Sequence, residues 1–101
     1  MIDLTVILWR DIPTQVIAKI GRKRTKRQLS ERFEQAVDRC AMKVDAHEHD
    51  SYLEEWRKDL HVIEGDDSEA ALEAEVQRIE VEYDTQRLRV MVENGGWNVV
   101  T

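Results

Sequence analysis

Cation density is the first chemical signal in this chain. Residues 21–27 read GRKRTKR, and five of these seven side chains are basic. A helical pattern follows at once. Arg22, Lys23, Arg24, Lys26 and Arg27 therefore read as an anion site at a helix N-terminus, where unpaired N–H groups add to the attraction. Phosphate, a polyglutamyl tail, a nucleic-acid backbone or an acidic protein surface would each satisfy that chemistry. The plainer alternative is a solvated link neutralised by acidic residues further along. Nucleic acid is disfavoured, because the chain carries a net charge of −6 and no aromatics interleave with the cations.

Other chemistry-bearing residues say less. His47-Glu48-His49-Asp50, with His61 beyond, has the composition of metal ligands. Yet no cysteine or second histidine pair stands at a zinc spacing, and the stretch is not an H-E-x-x-H helix. A polar loop with a helix cap explains the same letters. Cys40 falls inside an apolar stripe, where a thiol acts as a small hydrophobe. The acidic run near the C-terminus offers many carboxylates but no pairing of acid and base. Gly95-Gly96 reads as a helix stop or a turn. No catalytic residue, metal ligand or cofactor is assigned on these grounds. Trp9, Ile17, Trp56 and Trp97 form an apolar surplus beyond what the core needs, and Trp9 beside Arg10 has the make-up of an interface hot spot. The predicted binding surface is thus Trp9, Arg10 and the cations from Arg22 to Arg27.

Stepping outward, 101 residues suit one domain, here residues 1–101, with a single core. Asp3 and Arg10 interrupt the N-terminal apolar run, which argues against a signal peptide, and no stretch is apolar enough for a membrane span. One cysteine makes no internal disulfide. The expectation is a cytoplasmic protein. Charge is divided along the chain: residues 1–44 hold ten Lys+Arg against five Asp+Glu, and residues 45–101 hold five against sixteen. Two halves of net +5 and −11 either face each other or present opposed surfaces to a partner.

The elements that must position these residues follow from periodicity. Ile2, Leu4, Val6 and Leu8 alternate as a strand over residues 1–10, and Asp11-Ile12-Pro13-Thr14 reads as a turn into a return strand over 15–20. Leu29, Phe33, Ala36, Val37, Cys40, Ala41 and Val44 make a broad helical stripe, capped at Thr25 or Ser30. Phe33, Val37 and Cys40 should meet Leu4, Val6, Leu8, Val16 and Ala18. A second helix is predicted from Asp50 or Ser51 through Leu60, with Leu53, Trp56 and Leu60 inward. Residues 61–64 form a candidate third strand. Ser68 caps a third helix with Leu72, Val76, Ile79 and Tyr83 in line. In residues 85–94, alternation of Leu88, Val90 and Val92 suits a strand, while an Asp84 cap and the Gly-Gly stop suit a helix. The fold class is α+β, a small antiparallel sheet covered by three to four helices.

The segments VILWRDIPTQV, GRKRTKRQLSERFEQAVDRCAM, YLEEWR and EAEVQRIEVEYDTQRLR, the last followed by Gly-Gly-Trp, resemble the small bacterial "virulence factor" domain family, related in name to conserved virulence factor C. The resemblance implies a compact α+β domain without catalytic residues to carry over. It also favours a helix for residues 85–94, through an alanine-rich final segment in related sequences that reads VMVEN here. Stand-alone members look like companions of folate- and corrinoid-dependent one-carbon enzymes, an association rather than a mechanism. The expected function is a non-catalytic accessory or small subunit that docks on a larger cytoplasmic enzyme or on a second copy. A small anion- or folate-binding module using residues 22–27 is the alternative.

Overall fold

The computed structural model describes residues 1–43 and 49–98. Three strands open the fold as a meander: β1 (Ile2–Trp9), β2 (Ile12–Ile20) and β3 (Lys23–Gln28). Among the described residues four helices follow, α1 (Glu31–Lys43), α2 (His49–Glu54), α3 (Ser68–Glu82) and α4 (Thr85–Glu93). Between α2 and α3, strand β4 (Trp56–Ile63) pairs with the free edge of β1. The sheet is antiparallel, in the order β3-β2-β1-β4. The class is α+β, as predicted, with a larger sheet than the hairpin and short third strand expected from periodicity.

Three boundaries differ from that expectation, each for a physical reason. The first turn is Arg10-Asp11, and Ile12 and Pro13 already belong to β2. Register slips between Ile7 and Leu8, leaving Thr14 as the extra residue of a bulge, which is where a sheet tolerates a proline without its N–H. Thr14 fills the gap by donating its hydroxyl to the Ile7 carbonyl (2.9 Å) and accepting from the Leu29 N–H (2.9 Å). The second difference is at residues 55–60. Leu53, Trp56 and Leu60 fit a helix by spacing, but α2 stops at Glu54 and residues 56–60 enter β4. Eight backbone pairings along β1 win over a short isolated helix. The third is the α3 cap: Asp67 rather than Ser68 accepts from the Ala70 N–H (3.0 Å), and Ser68 is buried in the first turn.

The core lies on one face of the sheet. Ile2, Leu4, Val6 and Leu8 from β1 and Val16 and Ala18 from β2 join Phe33, Val37 and Cys40 of α1 in a single buried cluster, as expected from the two periodicities. Leu72, Val76 and Ile79 of α3 and Leu88 and Met91 of α4 complete it. Helix α1 is stapled to the end of α3: the Ser30 N–H and hydroxyl both donate to the Glu80 carboxylate (2.7 Å each), and Arg32 donates to the Glu80 and Tyr83 carbonyls (2.7 and 3.2 Å). Helix α4 is capped by Asp84, which accepts from the Arg87 N–H at 2.8 Å. It closes on Gly95-Gly96, where the Gly96 N–H reaches back to the Met91 carbonyl (2.7 Å). Gly96 has φ +89°, and a Cβ there would stand 3.0 Å from the Cys40 sulfur. No described helix is long and apolar enough to cross a membrane. Val44, His47, Glu48 and the last three residues, which carried part of the first-helix stripe, the histidine-rich stretch and the apolar tail, lie outside the described residues.

Candidate docking surface

The basic run is an edge strand, not a link into a helix. Residues 23–28 pair with β2 in the register Ile20–Lys23, Ala18–Thr25 and Val16–Arg27 on one face, and Lys19–Arg24, Ile17–Lys26 and Gln15–Gln28 on the other. Because side chains alternate along a strand, the cations are divided between the two faces. Lys23 and Arg27 point toward α3, where Lys23 meets Glu69 (3.7 Å) and Arg27 pairs with Glu73. Arg24 and Lys26 emerge on the opposite face. Arg22 sits with Gly21 (φ +57°) in the two-residue turn before β3, an arrangement that uses glycine's freedom at the first turn position. The expected anion site at a helix N-terminus is therefore corrected. Helix α1 begins at Glu31, beyond the strand, and the Glu80 carboxylate already occupies the Ser30 N–H at its entrance.

Trp9 and Arg10 are also corrected as parts of an exposed patch with the run. Trp9 is fully buried, at 0% exposure, with its indole N–H donating to the Tyr52 carbonyl (3.0 Å) and its ring 5.9 Å from that of Tyr52. Segments distant in sequence cover it: α2 and the start of β4. Arg10 works as a bracket. Its backbone takes a left-handed φ of +54°, which a non-glycine residue adopts at a cost of about 1–3 kcal/mol. Its N–H donates to the Glu55 carbonyl (2.9 Å), its guanidinium donates to the Gly95 carbonyl (2.5 Å), and the rings of Trp9 and Trp97 flank that guanidinium at 5.1 and 5.4 Å. Both residues stand at one end of the sheet, and Arg22 and Lys23 at the other.

What the register does bring together is a second surface. Reading across β3, β2, β1 and β4, the face away from the core has three rows: Arg24, Lys19, Asp3 and Val62; then Lys26, Ile17, Thr5 and Leu60; then Gln28, Gln15, Ile7 and Lys58. A fourth row, Trp9 and Trp56, is closed off by Tyr52. Leu60 is 70% and Val62 56% exposed. Ile17 is only 8% exposed, yet it lies outside the buried core cluster. The surface thus has an apolar middle of Ile7, Ile17, Leu60 and Val62. Around it stand Lys19, Arg24, Lys26 and Lys58 against the single carboxylate of Asp3. None of these four cations joins an ion pair among the described residues.

Sequence reasoning flagged Ile17, Arg24 and Lys26 but missed Lys19, Lys58, Leu60 and Val62. The missed signal was alternation: Trp56, Leu60 and Val62 occupy one parity of residues 56–63. Burial pushes the Cys40 thiol above its ordinary range, with Arg10 and Lys43 opposing in part, so the sulfur stays protonated and packed. Among the described residues no group of three or more histidine, cysteine or acidic side chains could hold a metal ion.

No curated protein and no solved structure matches this chain. A family model described as "Virulence factor" matches residues 7–92, from the middle of β1 to the last turn of α4.

Proposed function

This chain belongs to the Virulence factor family, and from that premise we propose that it is a non-catalytic docking protein, an accessory subunit that attaches to a larger protein through the open face of its sheet. The observation that carries this reading is the three-row face itself. Exposed Leu60 and Val62 gain by being covered, at roughly 25 cal/mol per Å² of apolar area removed from water. Lys19, Arg24, Lys26 and Lys58, which join no ion pair among the described residues, ask for carboxylates around that apolar contact. The fitting partner is a protein surface with an apolar patch and an acidic rim. A nucleic acid fits less well, because no aromatic side chain stands in the three open rows for a base to stack on. A free anion would pair with the cations but leave the apolar middle bare.

The experiment is capture from host extract with the intact chain and with a Lys26→Glu, Leu60→Asp variant, both first checked for unchanged thermal melting. The intact chain should retain a partner that elutes as salt is raised, since rim charges are screened within about 8 Å at physiological ionic strength. The variant should lose it. A partner retained equally by both would remove the open face from the interface. A chain that stays monomeric and alone would remove the subunit reading as well.

A further inference from the structure

From a different observation we infer that the cleft between α1 and α4 is a binding site for a small planar organic anion. Two helical stripes build it. Arg32, Gln35, Ala36 and Arg39 recur at i, i+3, i+4 and i+7 on α1, and Thr85, Leu88, Arg89 and Val92 repeat that spacing on α4. The cleft has a volume of about 450 Å³, within the range that holds a cofactor-sized molecule. Its floor is apolar: Ala36 and Leu88 are buried and Val92 half-buried. Its walls carry three guanidiniums, with Glu93 as the single acidic lining residue among the described residues.

That combination selects a ligand by shape and by charge. A flat ring system covers the Ala36–Leu88–Val92 floor, and guanidiniums stack on ring faces as well as forking onto a carboxylate or sulfonate. Arg32 is held in advance by the Ser30 hydroxyl, the Glu80 and Tyr83 carbonyls and the Glu80 carboxylate (2.9 Å), so it gives the cleft a rigid corner whose charge is already matched. Arg39 and Arg89 are exposed and supply the charge that grips the acid group. A bare phosphate would leave the floor uncovered, and a neutral ring would leave unanswered the charges of Arg39 and Arg89, which join no ion pair among the described residues.

The test is NMR titration of the labelled chain with 2-naphthoate, with 2-naphthalenemethanol as the neutral ring and inorganic phosphate as the anion without a body. Naphthoate should shift the amides of α1 and α4, and each control should bind about tenfold more weakly or worse. Arg39→Ala and Arg89→Ala should each weaken naphthoate by about tenfold, while Arg24→Ala on the sheet leaves it unchanged. Shifts that map to β1–β4 instead, equal binding of the neutral ring, or indifference to both arginine variants would each overturn the site. Folding is not at risk in these variants, because both arginines are exposed, and a melting curve verifies it.

Discussion

The two faces of one sheet receive the same kinds of residue and put them to opposite uses. On the covered face, Ile2, Leu4, Val6 and Leu8 are buried under helices, and the charges of β3 are matched by α3, Lys23 with Glu69 and Arg27 with Glu73, while the His61 ring of β4 lies 3.2 Å from the Glu75 carboxylate. On the open face, Leu60 and Val62 stay in water and four cations have no ion-pair partner among the described residues. The same strand, β3, feeds both. A basic run that reads as one feature in sequence is two in space, half structural and half available. The asymmetry of charge along the chain is thus partly spent inside the molecule, with α3 answering one side of β3 and nothing described answering the other.

The comparison breaks most readily at its apolar residues. Phe33→Ala should lower stability by about 3–5 kcal/mol, the cost of removing a buried aromatic, because Phe33 is enclosed by the covered face. Leu60→Asp on the open face should move the urea midpoint by no more than about 0.5 kcal/mol in equivalent stability. Equal losses in the two variants would mean that the faces have been assigned wrongly. Tryptophan gives a parallel contrast around Arg10. Trp9→Ala should cost about 3–5 kcal/mol, while Trp97→Ala, at 45% exposure on the other side of the same guanidinium, should cost far less. A third variant is local to the helical layer. Asp84→Ala removes the α4 cap and should cost about 1 kcal/mol by thermal melting, without disturbing partner capture.

How much of this was readable beforehand depends on whether a feature is local. Helix α1 was legible because its stripe is long and its period unambiguous. Helix α4 was not legible from pattern, since Leu88, Val90 and Val92 alternate as a strand would. The resemblance favoured a helix there, and the structure explains it: Leu88 and Met91 are buried while Val90 turns outward. Only the end of β4 was expected as a strand, at residues 61–64; its first part, residues 56–60, was hidden because its pairing depends on the free edge of β1, about 50 residues away in sequence, rather than on its own composition. The basic run hid its strand for the opposite reason. Lysine and arginine have modest strand preference, yet they are what an exposed sheet edge uses to discourage unwanted pairing. Trp9 read as surplus to the core because the segments that bury it come later in the chain. Of the surface predicted in sequence, Arg24 and Lys26 belong to the open face. Arg22 occupies a turn, Lys23 and Arg27 serve α3, and Trp9 and Arg10 hold the first turn in place.

The smallest predicted effect separates the two halves of β3 most sharply. Arg24 and Arg27 are three residues apart in one strand and both are exposed, so composition predicts the same outcome for replacing either by serine. Register predicts different ones. Arg27 pairs with Glu73 across to α3, but both partners are about half exposed, at 51% and 48%. Water and salt therefore screen the pair, and Arg27→Ser should cost only about 0.2–1 kcal/mol. Arg24 has no such partner among the described residues, and Arg24→Ser should leave stability unchanged. A double-mutant cycle makes the difference readable: Arg27→Ser combined with Glu73→Gln should give a coupling energy of about 0.2–1 kcal/mol, and Arg24→Ser with Glu73→Gln none. The Arg27 coupling should fade near 1 M salt, where the Debye length is about 3 Å. Partner capture should sort the variants the other way, with Arg24→Ser weakening it and Arg27→Ser sparing it. If both arginines couple to Glu73, or both affect capture alike, β3 does not divide its charges between two faces, and the open face loses the rim that defines its partner.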